Sequence, residues 1–180
     1  LNTAGLPAWR LELEVTENAL MGNIHNTIAL LERIRAKGVS LSIDDFGTGY
    51  SSLAYLKRLP LDTLKIDRSF IQDIPRSGQD MDIVQAIIIM AHTLHLKVVT
   101  EGVETVEQYQ FLRQQGCDFL QGYLFSRPVP LGELRAVLGE LNQRDELASL
   151  CGGTVRPGSM DLFPDSPGYR AGASVAPPGR

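Results

Sequence analysis

Apolar and polar residues alternate with a period of two along several short stretches of this chain, a pattern typical of β-strands with one buried face. These stretches are separated by longer segments in which apolar residues recur every three or four positions, as they do on one face of a helix. The predicted strands cover residues 11–17, 39–44, 63–67, 97–102 and 119–123. Because strands that alternate with helices are joined by right-handed crossovers, the pattern predicts an α/β fold with a parallel sheet.

The predicted helices have recognisable ends. They cover residues 24–37, 53–59, 81–94, 105–115 and 131–150. Asp80 is the predicted N-cap of the third helix, and Thr105 with Gln108 forms a capping box at the start of the fourth. After Cys151, glycine, proline and serine dominate and the apolar periodicity disappears. We therefore expect residues 1–150 to form one domain and residues 151–180 to be a disordered tail.

Composition narrows the classes of protein to which this chain can belong. Its 180 residues are 43% hydrophobic, which is enough for the core of one domain, and its formal net charge is −4. Because the chain has no long basic run, we do not expect it to bind DNA. The two cysteines, Cys117 and Cys151, have no paired spacing, and no apolar run reaches membrane-spanning length. Together with the lack of a signal-peptide pattern, these features predict a reduced, cytoplasmic protein without a membrane segment.

Charged or polar residues stand at or near the carboxyl end of every predicted strand, which is where α/β folds bind their ligands. The second strand ends on the adjacent pair Asp44 and Asp45, and a glycine-rich loop follows at once. Two close carboxylates repel each other unless a proton or a cation lies between them, so a divalent metal is the favoured interpretation. The alternative is an aspartate pair that caps backbone groups at the start of a loop.

Five short segments around these strand ends resemble the EAL-domain family in sequence, order and spacing. They are EVTE at 14–17, DDFGTGYSS at 44–52, LKID at 64–67, EGVE at 101–104 and QGY at 121–123. Members of that family are cyclic di-GMP phosphodiesterases of bacterial signalling. The resemblance implies a TIM-type (β/α)8 barrel with an antiparallel first strand. It also implies that this chain supplies a partial barrel, strands four to eight.

Two metal ligands of the family have no counterpart in this sequence. No Glu-Ala-Leu segment occurs, and Asn2, which lies in a predicted loop, does not replace the family's metal-binding asparagine. We therefore expect the chain to be the C-terminal portion of an EAL domain, with an upstream segment or domain in a longer protein. By itself it should hydrolyse little cyclic di-GMP. The alternatives are a catalytically inactive EAL-like module that binds cyclic di-GMP or a protein partner, and an inert remnant.

The resemblance implies that the chemistry uses Mg²⁺ or Mn²⁺, which prefer oxygen ligands. It assigns Glu14 and Asp44 to the first metal and Asp45 to the second. It places Lys65 near the nucleophilic water or the phosphate, opposite Glu101, which resembles the family's candidate for the general base. A metal-bound water needs little help from a base, so the identity of the deprotonating group stays open. A plain Lys65–Glu101 salt bridge is the structural alternative.

Supporting roles also follow from the resemblance. Glu17 anchors the loop that orders the second-metal site and takes part in homodimer contacts. The residues of that loop assigned this role are Phe46, Gly47, Thr48 and Gly49. Gln121 and Glu104 orient the ligand or support the metal ligands. Asp67 either joins the metal rim or caps the chain that follows it.

Overall fold

The structure is a computed structural model that describes residues 3, 5–17, 19, 24–47 and 53–150, with the backbone alone for residues 142–150. The predicted tail, 151–180, lies outside the described residues. The chain divides into two compact units, of which the first, Leu1–Arg127, contains the sheet, and the second begins at Pro128. The predicted domain boundary at residue 150 stays a prediction.

A single parallel sheet of five strands forms the centre of the first unit. The strands are β1 (Glu12–Thr16), β2 (Ser40–Phe46), β3 (Thr63–Ile66), β4 (Lys97–Thr100) and β5 (Phe119–Leu120). Each strand pairs with the next along the chain, so the spatial order is the sequence order. The predicted α/β class and the parallel sheet are therefore confirmed, and all five strands lie within two or three residues of their predicted bounds.

Helices follow the strands as the apolar spacing predicts. They are α1 (Ile24–Arg35), α2 (Leu53–Leu56), α3 (Gly78–Thr93), α4 (Val106–Gln114) and α5 (Leu131–Leu150), with short 3-10 turns at Ala8–Arg10 and Arg68–Phe70. The capping box of α4 is confirmed, since the Thr105 side chain accepts from the Gln108 N–H and the Gln108 side chain accepts from the Thr105 N–H. None of the described helices has the length and apolar character that spanning a bilayer requires.

The predicted cap of α3 is wrong. The helix begins three residues earlier than expected, and its N-cap is Ser77, whose Oγ accepts a hydrogen bond from the Asp80 N–H at 3.2 Å. Serine and aspartate are equally good N-caps, and here they are three residues apart, so the sequence alone does not decide between them. Asp80 lies in the first turn, where its negative charge still favours the positive end of the helix dipole.

The two faces of the sheet differ in chemistry because successive side chains of a strand point to opposite sides. One face packs on the helices and is almost fully buried at Leu41, Ile43, Leu64, Ile66 and Val98. Each such side chain contributes about 1.5–3 kcal/mol through burial. The other face is mainly polar on β1, β2 and β3, whereas on β4 and β5 it also carries Val99 and Phe119. Its side chains on β1, β2 and β3 include Glu14, Ser42, Asp44, Thr63 and Lys65.

Asp62 fastens the start of β2 at the amino-terminal edge of the sheet. Its Oδ2 accepts from the Leu41 N–H at 3.0 Å, and its Oδ1 accepts from Arg35 Nη2 at 3.2 Å. Leu41 precedes Asp62 by 21 residues, and Arg35 precedes it by 27. One carboxylate thus joins the end of α1, the start of β2 and the chain entering β3.

Asp118 fastens the start of β4 by the same construction. Its Oδ2 accepts from the Val98 N–H at 2.8 Å and lies 2.8 Å from Nε2 of His92, on the last turn of α3. The corresponding separations are 20 and 26 residues, nearly those of the first clamp. The unit of helix, strand, helix and strand is therefore repeated with the same aspartate clamp, which accounts for His92 as a structural residue.

Replacing Asp118 by alanine should destabilise the protein by about 1–3 kcal/mol, because the Val98 N–H would be left buried without an acceptor. Urea unfolding followed by circular dichroism measures the difference. Asp118→Asn is the matched control, since its amide oxygen can still accept from Val98 and its loss should be smaller. Equal unfolding midpoints for Asp118→Ala and the unmodified chain would contradict the clamp.

Candidate functional site

Three carboxylates from three strand ends meet one buried ammonium group. Lys65 lies on β3, and its side chain is only 8% exposed. Its Nζ lies 2.7 Å from Glu14 Oε1, 3.0 Å from Asp44 Oδ1 and 2.7 Å from Glu101 Oε1. We call these four residues the acid cluster. Four side chains that the resemblance assigned to the site are therefore close together.

Strand register explains why these residues meet. Asp44 pairs with Thr16 on β1, two residues beyond Glu14, so both acids project from the polar face. Lys65 stands between Leu64 and Ile66, whose side chains fill the helix-side core. The Glu101 N–H donates to Ile66 O at 3.1 Å, which continues the β3–β4 ladder one residue past β4 and holds Glu101 beside Lys65.

Charge in the acid cluster does not balance. Burial disfavours the protonated amine of Lys65, but the hydrogen bonds that it donates to Glu101, Glu14 and Asp44 outweigh burial and raise its pKa above the ordinary value. Three carboxylates against one ammonium leave a formal excess of two negative charges. This edge of the sheet therefore attracts further positive charge.

Asp45 occupies a β-bulge next to the acid cluster. Ile43 pairs with Leu64 and Phe46 with Ile66, so Asp44 and Asp45 together oppose the single residue Lys65. Asp45 has φ +56°, in the left-handed region that aspartate visits more readily than most residues. The bulge breaks the alternation of the strand, so that Asp44 and Asp45 stand side by side near the carboxyl end of β2.

Glu17 is tied to the loop after Asp45. Its side chain is buried, and its Oε2 accepts from the Gly47 N–H at 3.1 Å. Gly47 has φ +97°, which costs glycine little and most other residues more, and Phe46 beside it is buried. The contact supports the anchoring role assigned to Glu17. The other two loop residues of that assignment, Thr48 and Gly49, lie outside the described residues, as do the proposed homodimer contacts of that loop.

A hollow of about 190 Å³ opens beside Glu101 at the ends of β3, β4 and β5. It is lined by three further residues that the sequence assigned to the site, Asp67, Glu104 and Gln121. Arg68 and Tyr123 also line it and were missed. Arg127 stacks on the Tyr123 ring with its guanidinium carbon 4.6 Å from the centroid.

Asp67 caps the chain that follows it, as one of its two predicted roles requires, and it also lines the hollow. Its Oδ1 accepts from the Ser69 N–H at 2.9 Å and so begins the 3-10 turn Arg68–Phe70. Burial raises the pKa of this carboxyl, but hydrogen bonds from Ser69 and Arg68 and the charge of Arg68 outweigh burial and lower the pKa below the usual value. Asp67 is therefore a carboxylate that presents negative charge to the hollow.

Gly122 lets the chain that leaves β5 approach the chain that leaves β4 closely beside the hollow. The Val103 N–H donates to Gln121 O at 3.0 Å, and Val103 O accepts from the Leu124 N–H at 3.0 Å. A Cβ added at Gly122 would collide with the backbone of Val103. Backbone atoms cannot move aside as a flexible side chain can, so glycine is required for the positions of Gln121 and Tyr123.

Gly122→Ala should destabilise the fold by about 2–3 kcal/mol through this collision. Gly78→Ala is the matched control, because an added Cβ at Gly78 meets no atom within 4 Å. Urea unfolding of the two variants side by side is the measurement. If Gly122→Ala unfolds at the same urea concentration as Gly78→Ala, the close crossing at Val103 does not limit the fold.

Carboxylate oxygens are the donors that Mg²⁺, Mn²⁺ and Ca²⁺ prefer, so the chemistry of the acid cluster suits such cations. Within the described part of the chain, however, no three His, Cys, Asp or Glu side chains are grouped so that they could hold a metal ion. The three carboxylates surround the Lys65 ammonium instead. Ligand chemistry thus fits a divalent cation, while the central position is taken by Lys65.

Comparison with known proteins gives consistent results. The family model described as "EAL domain" matches residues 1–128. The cyclic di-GMP phosphodiesterase NbdA of Pseudomonas aeruginosa is 70% identical over 138 residues, which are 77% of this chain and 18% of NbdA. The chain thus spans less than a fifth of the length of this curated relative.

Solved structures share the fold. The PaMucR phosphodiesterase in its c-di-GMP complex is 50% identical with a TM-score of 0.72, over 74% of this chain and 54% of that one. Klebsiella pneumoniae BlrP1, in a manganese and c-di-GMP complex, is 39% identical with a TM-score of 0.67, over 71% of this chain and 33% of that one. The TIM-barrel-like fold predicted for the chain is therefore confirmed.

Proposed function

This chain belongs to the EAL domain family, and on that premise we propose that it carries much of the active site of a divalent-metal-dependent phosphodiesterase that opens cyclic di-GMP to linear pGpG. The observation that carries the proposal is the convergence of Glu14, Asp44 and Glu101, from three separate strands, on Lys65. A relative with 70% identity bears the name of this activity, and two similar structures contain the dinucleotide.

Mg²⁺ or Mn²⁺ would be held by Glu14 and Asp44, with Asp45 at a second position next to them. When bound, divalent cations neutralise phosphate charge and lower the pKa of coordinated water. The residues fit this purpose because they present oxygen donors and a formal excess of negative charge. Similarity to a manganese complex of known structure supports the use of a divalent cation.

Glu101 and Lys65 would act directly on the reacting phosphate. Glu101 lies between Lys65, which it contacts, and the hollow, which it lines. From that position its carboxylate can accept the proton of a water that attacks phosphorus in line with the leaving oxygen. Lys65 holds Glu101 in orientation, and its positive charge stabilises the negative charge that develops on the phosphate oxygens.

The hollow would hold the nucleotide next to the scissile phosphate. Arg68 offers positive charge for a phosphate, and Gln121 offers both a donor and an acceptor. Tyr123 is about half exposed, and its ring lines the hollow while Arg127 stacks on it. An exposed, supported aromatic ring is the usual platform on which a nucleobase stacks.

A second candidate is a regulatory module that binds cyclic di-GMP without hydrolysing it. The observation that favours it is that Lys65, rather than an open metal position, lies among the carboxylates. Turnover separates the two candidates, because both predict binding of the dinucleotide and only the first predicts pGpG. On the proposal, turnover also needs segments outside this chain, so the chain by itself should show little hydrolysis.

Glu101→Gln should be tested in a longer protein in which this chain forms the C-terminal part of a complete EAL domain. There it should lower kcat for cyclic di-GMP at least about 100-fold, because the proton acceptor is lost. Binding of the dinucleotide should be largely retained. Chromatographic measurement of pGpG formation gives the rate, and Glu107→Gln, which removes the same charge from an exposed position on α4, is the control. Unchanged turnover in Glu101→Gln would remove Glu101 from the mechanism.

Tyr123→Ala should raise KM about ten-fold in the same protein while kcat changes little, since a stacked base contributes about 1–3 kcal/mol to binding. Tyr123→Phe keeps the ring and should retain the KM. Tyr55→Ala removes an exposed ring from α2 and serves as the surface control. A KM for Tyr123→Ala that equals that of Tyr55→Ala would exclude the ring as a base platform.

A further inference from the structure

Lys65 contacts all three acids of the acid cluster. Its Nζ makes three contacts of 2.7–3.0 Å, to carboxylates from β1, β2 and the end of β4. An ammonium group has three N–H donors, so each carboxylate can receive one hydrogen bond. The number of donors and the number of acids match, and the ammonium lies at the centre of the group.

We infer that Lys65 is a built-in competitor of the divalent cation: its ammonium occupies the carboxylates of Glu14 and Asp44, the proposed metal ligands, until a cation displaces it from those two, while its contact with Glu101 remains. This inference rests on the proposed function in one respect, which is that the acids bind a divalent cation. It goes beyond the role of Lys65 in phosphate chemistry, because it assigns the residue a function in metal loading.

Charge supports competition. With Lys65 in place, the acid cluster carries a formal excess of two negative charges, and a divalent cation bound to Glu14 and Asp44 would meet a positive ammonium at contact distance from both of these ligands. Like charges that share ligands repel strongly where solvent is partly excluded. Removing the lysine charge therefore leaves three unpaired carboxylates, which should bind a cation more tightly.

The opposing effect is loss of order among the carboxylates. The Glu14 side chain is about half exposed, whereas the side chains of Asp44 and Glu101 are mostly shielded from solvent. The backbone of all three acids is fixed by strand register, and only short side chains are free to move without Lys65. The gain in metal affinity from the removed repulsion should therefore exceed the loss caused by side-chain disorder. If Lys65 instead served mainly to order the carboxylates, its removal would weaken metal binding.

The test is Mn²⁺ binding to a protein in which this chain forms the C-terminal part of a complete EAL domain, measured by titration calorimetry after removal of metal with a chelator. Lys65→Met should lower the dissociation constant for Mn²⁺ about ten-fold or more. Lys65→Arg keeps the positive charge and should stay within about two-fold of the unmodified chain. Lys37→Met removes the same charge from an exposed position after α1 and is the matched control.

Thermal unfolding provides a readout that does not depend on activity. In chelator, Lys65→Met should unfold at a lower temperature than Lys37→Met, because three carboxylates repel each other without a counter-charge. Addition of Mn²⁺ should raise its unfolding temperature more than that of the unmodified chain. Lys65→Gln, which keeps two N–H donors but no charge, repeats the comparison if Lys65→Met does not fold.

The outcomes separate the inference from the proposed function. If Lys65→Met and Lys65→Gln bind Mn²⁺ equally or more weakly than the unmodified chain, Lys65 is an organiser and not a competitor, and the metal site itself stands. If neither the variants nor the unmodified protein with the complete EAL domain binds Mn²⁺, the proposed metal site fails and the inference fails with it. Tighter binding in both uncharged variants, and not in Lys65→Arg, supports the inference.

Discussion

The site depends on one electrostatic arrangement, in which a buried ammonium group is shared by carboxylates from three strands. Burial of a lysine is costly unless opposite charges compensate for the lost hydration. Here Glu14, Asp44 and Glu101 provide the compensating charge. This requires that β1, β2, β3 and β4 all pair in the correct register. The ion pairs of Lys65 at the carboxyl edge can therefore form only in one register of the sheet. A slip of one residue would send Lys65 into the apolar core.

Acids serve two purposes at the two edges of this sheet. At the amino-terminal edge, Asp62 and Asp118 accept from strand N–H groups and hold β2 and β4 at fixed heights. Asp44 lies three residues after Leu41 and Glu101 lies three residues after Val98, the two residues whose N–H groups are bound in this way. Both acids contact Lys65. The repeated clamp therefore sets the positions from which the acids of the site project. Residues at the amino-terminal edge thus stabilise the sheet, and residues at the carboxyl edge form the candidate site.

The resemblance assigned Glu14, Asp44, Lys65 and Glu101 to the site, and periodicity and strand ends were enough to predict the parallel sheet and the polar residues at its carboxyl edge. They succeeded because backbone alternation and the common carboxyl edge are properties of any α/β fold. The shared position of Lys65 among three acids was predicted only as a pair with Glu101, since side-chain reach between strands leaves no mark in the sequence.

Local chemistry decided the remaining differences. Ser77 and Asp80 are both good caps at competing positions, and only the folded chain shows which one accepts the hydrogen bond. The bulge at Asp45 depends on how β2 pairs with β3, which periodicity does not contain. Arg68 and Tyr123 were missed because single residues in strand exits have no periodic neighbours, and the hollow that joins them forms only when β3, β4 and β5 lie side by side.

Charge alone explains why such a site would need a cation for a phosphodiester. Each phosphate of a cyclic dinucleotide carries one negative charge, and the acid cluster already has a formal excess of two. Asp67 and Glu104 add negative charge to the hollow, where Arg68 is the lining residue of opposite sign. A phosphate could approach these carboxylates only if a cation reversed the local potential. On the proposed function, the same excess of negative charge that would repel the substrate would recruit the cation, so metal binding and substrate binding would be coupled at this edge of the sheet.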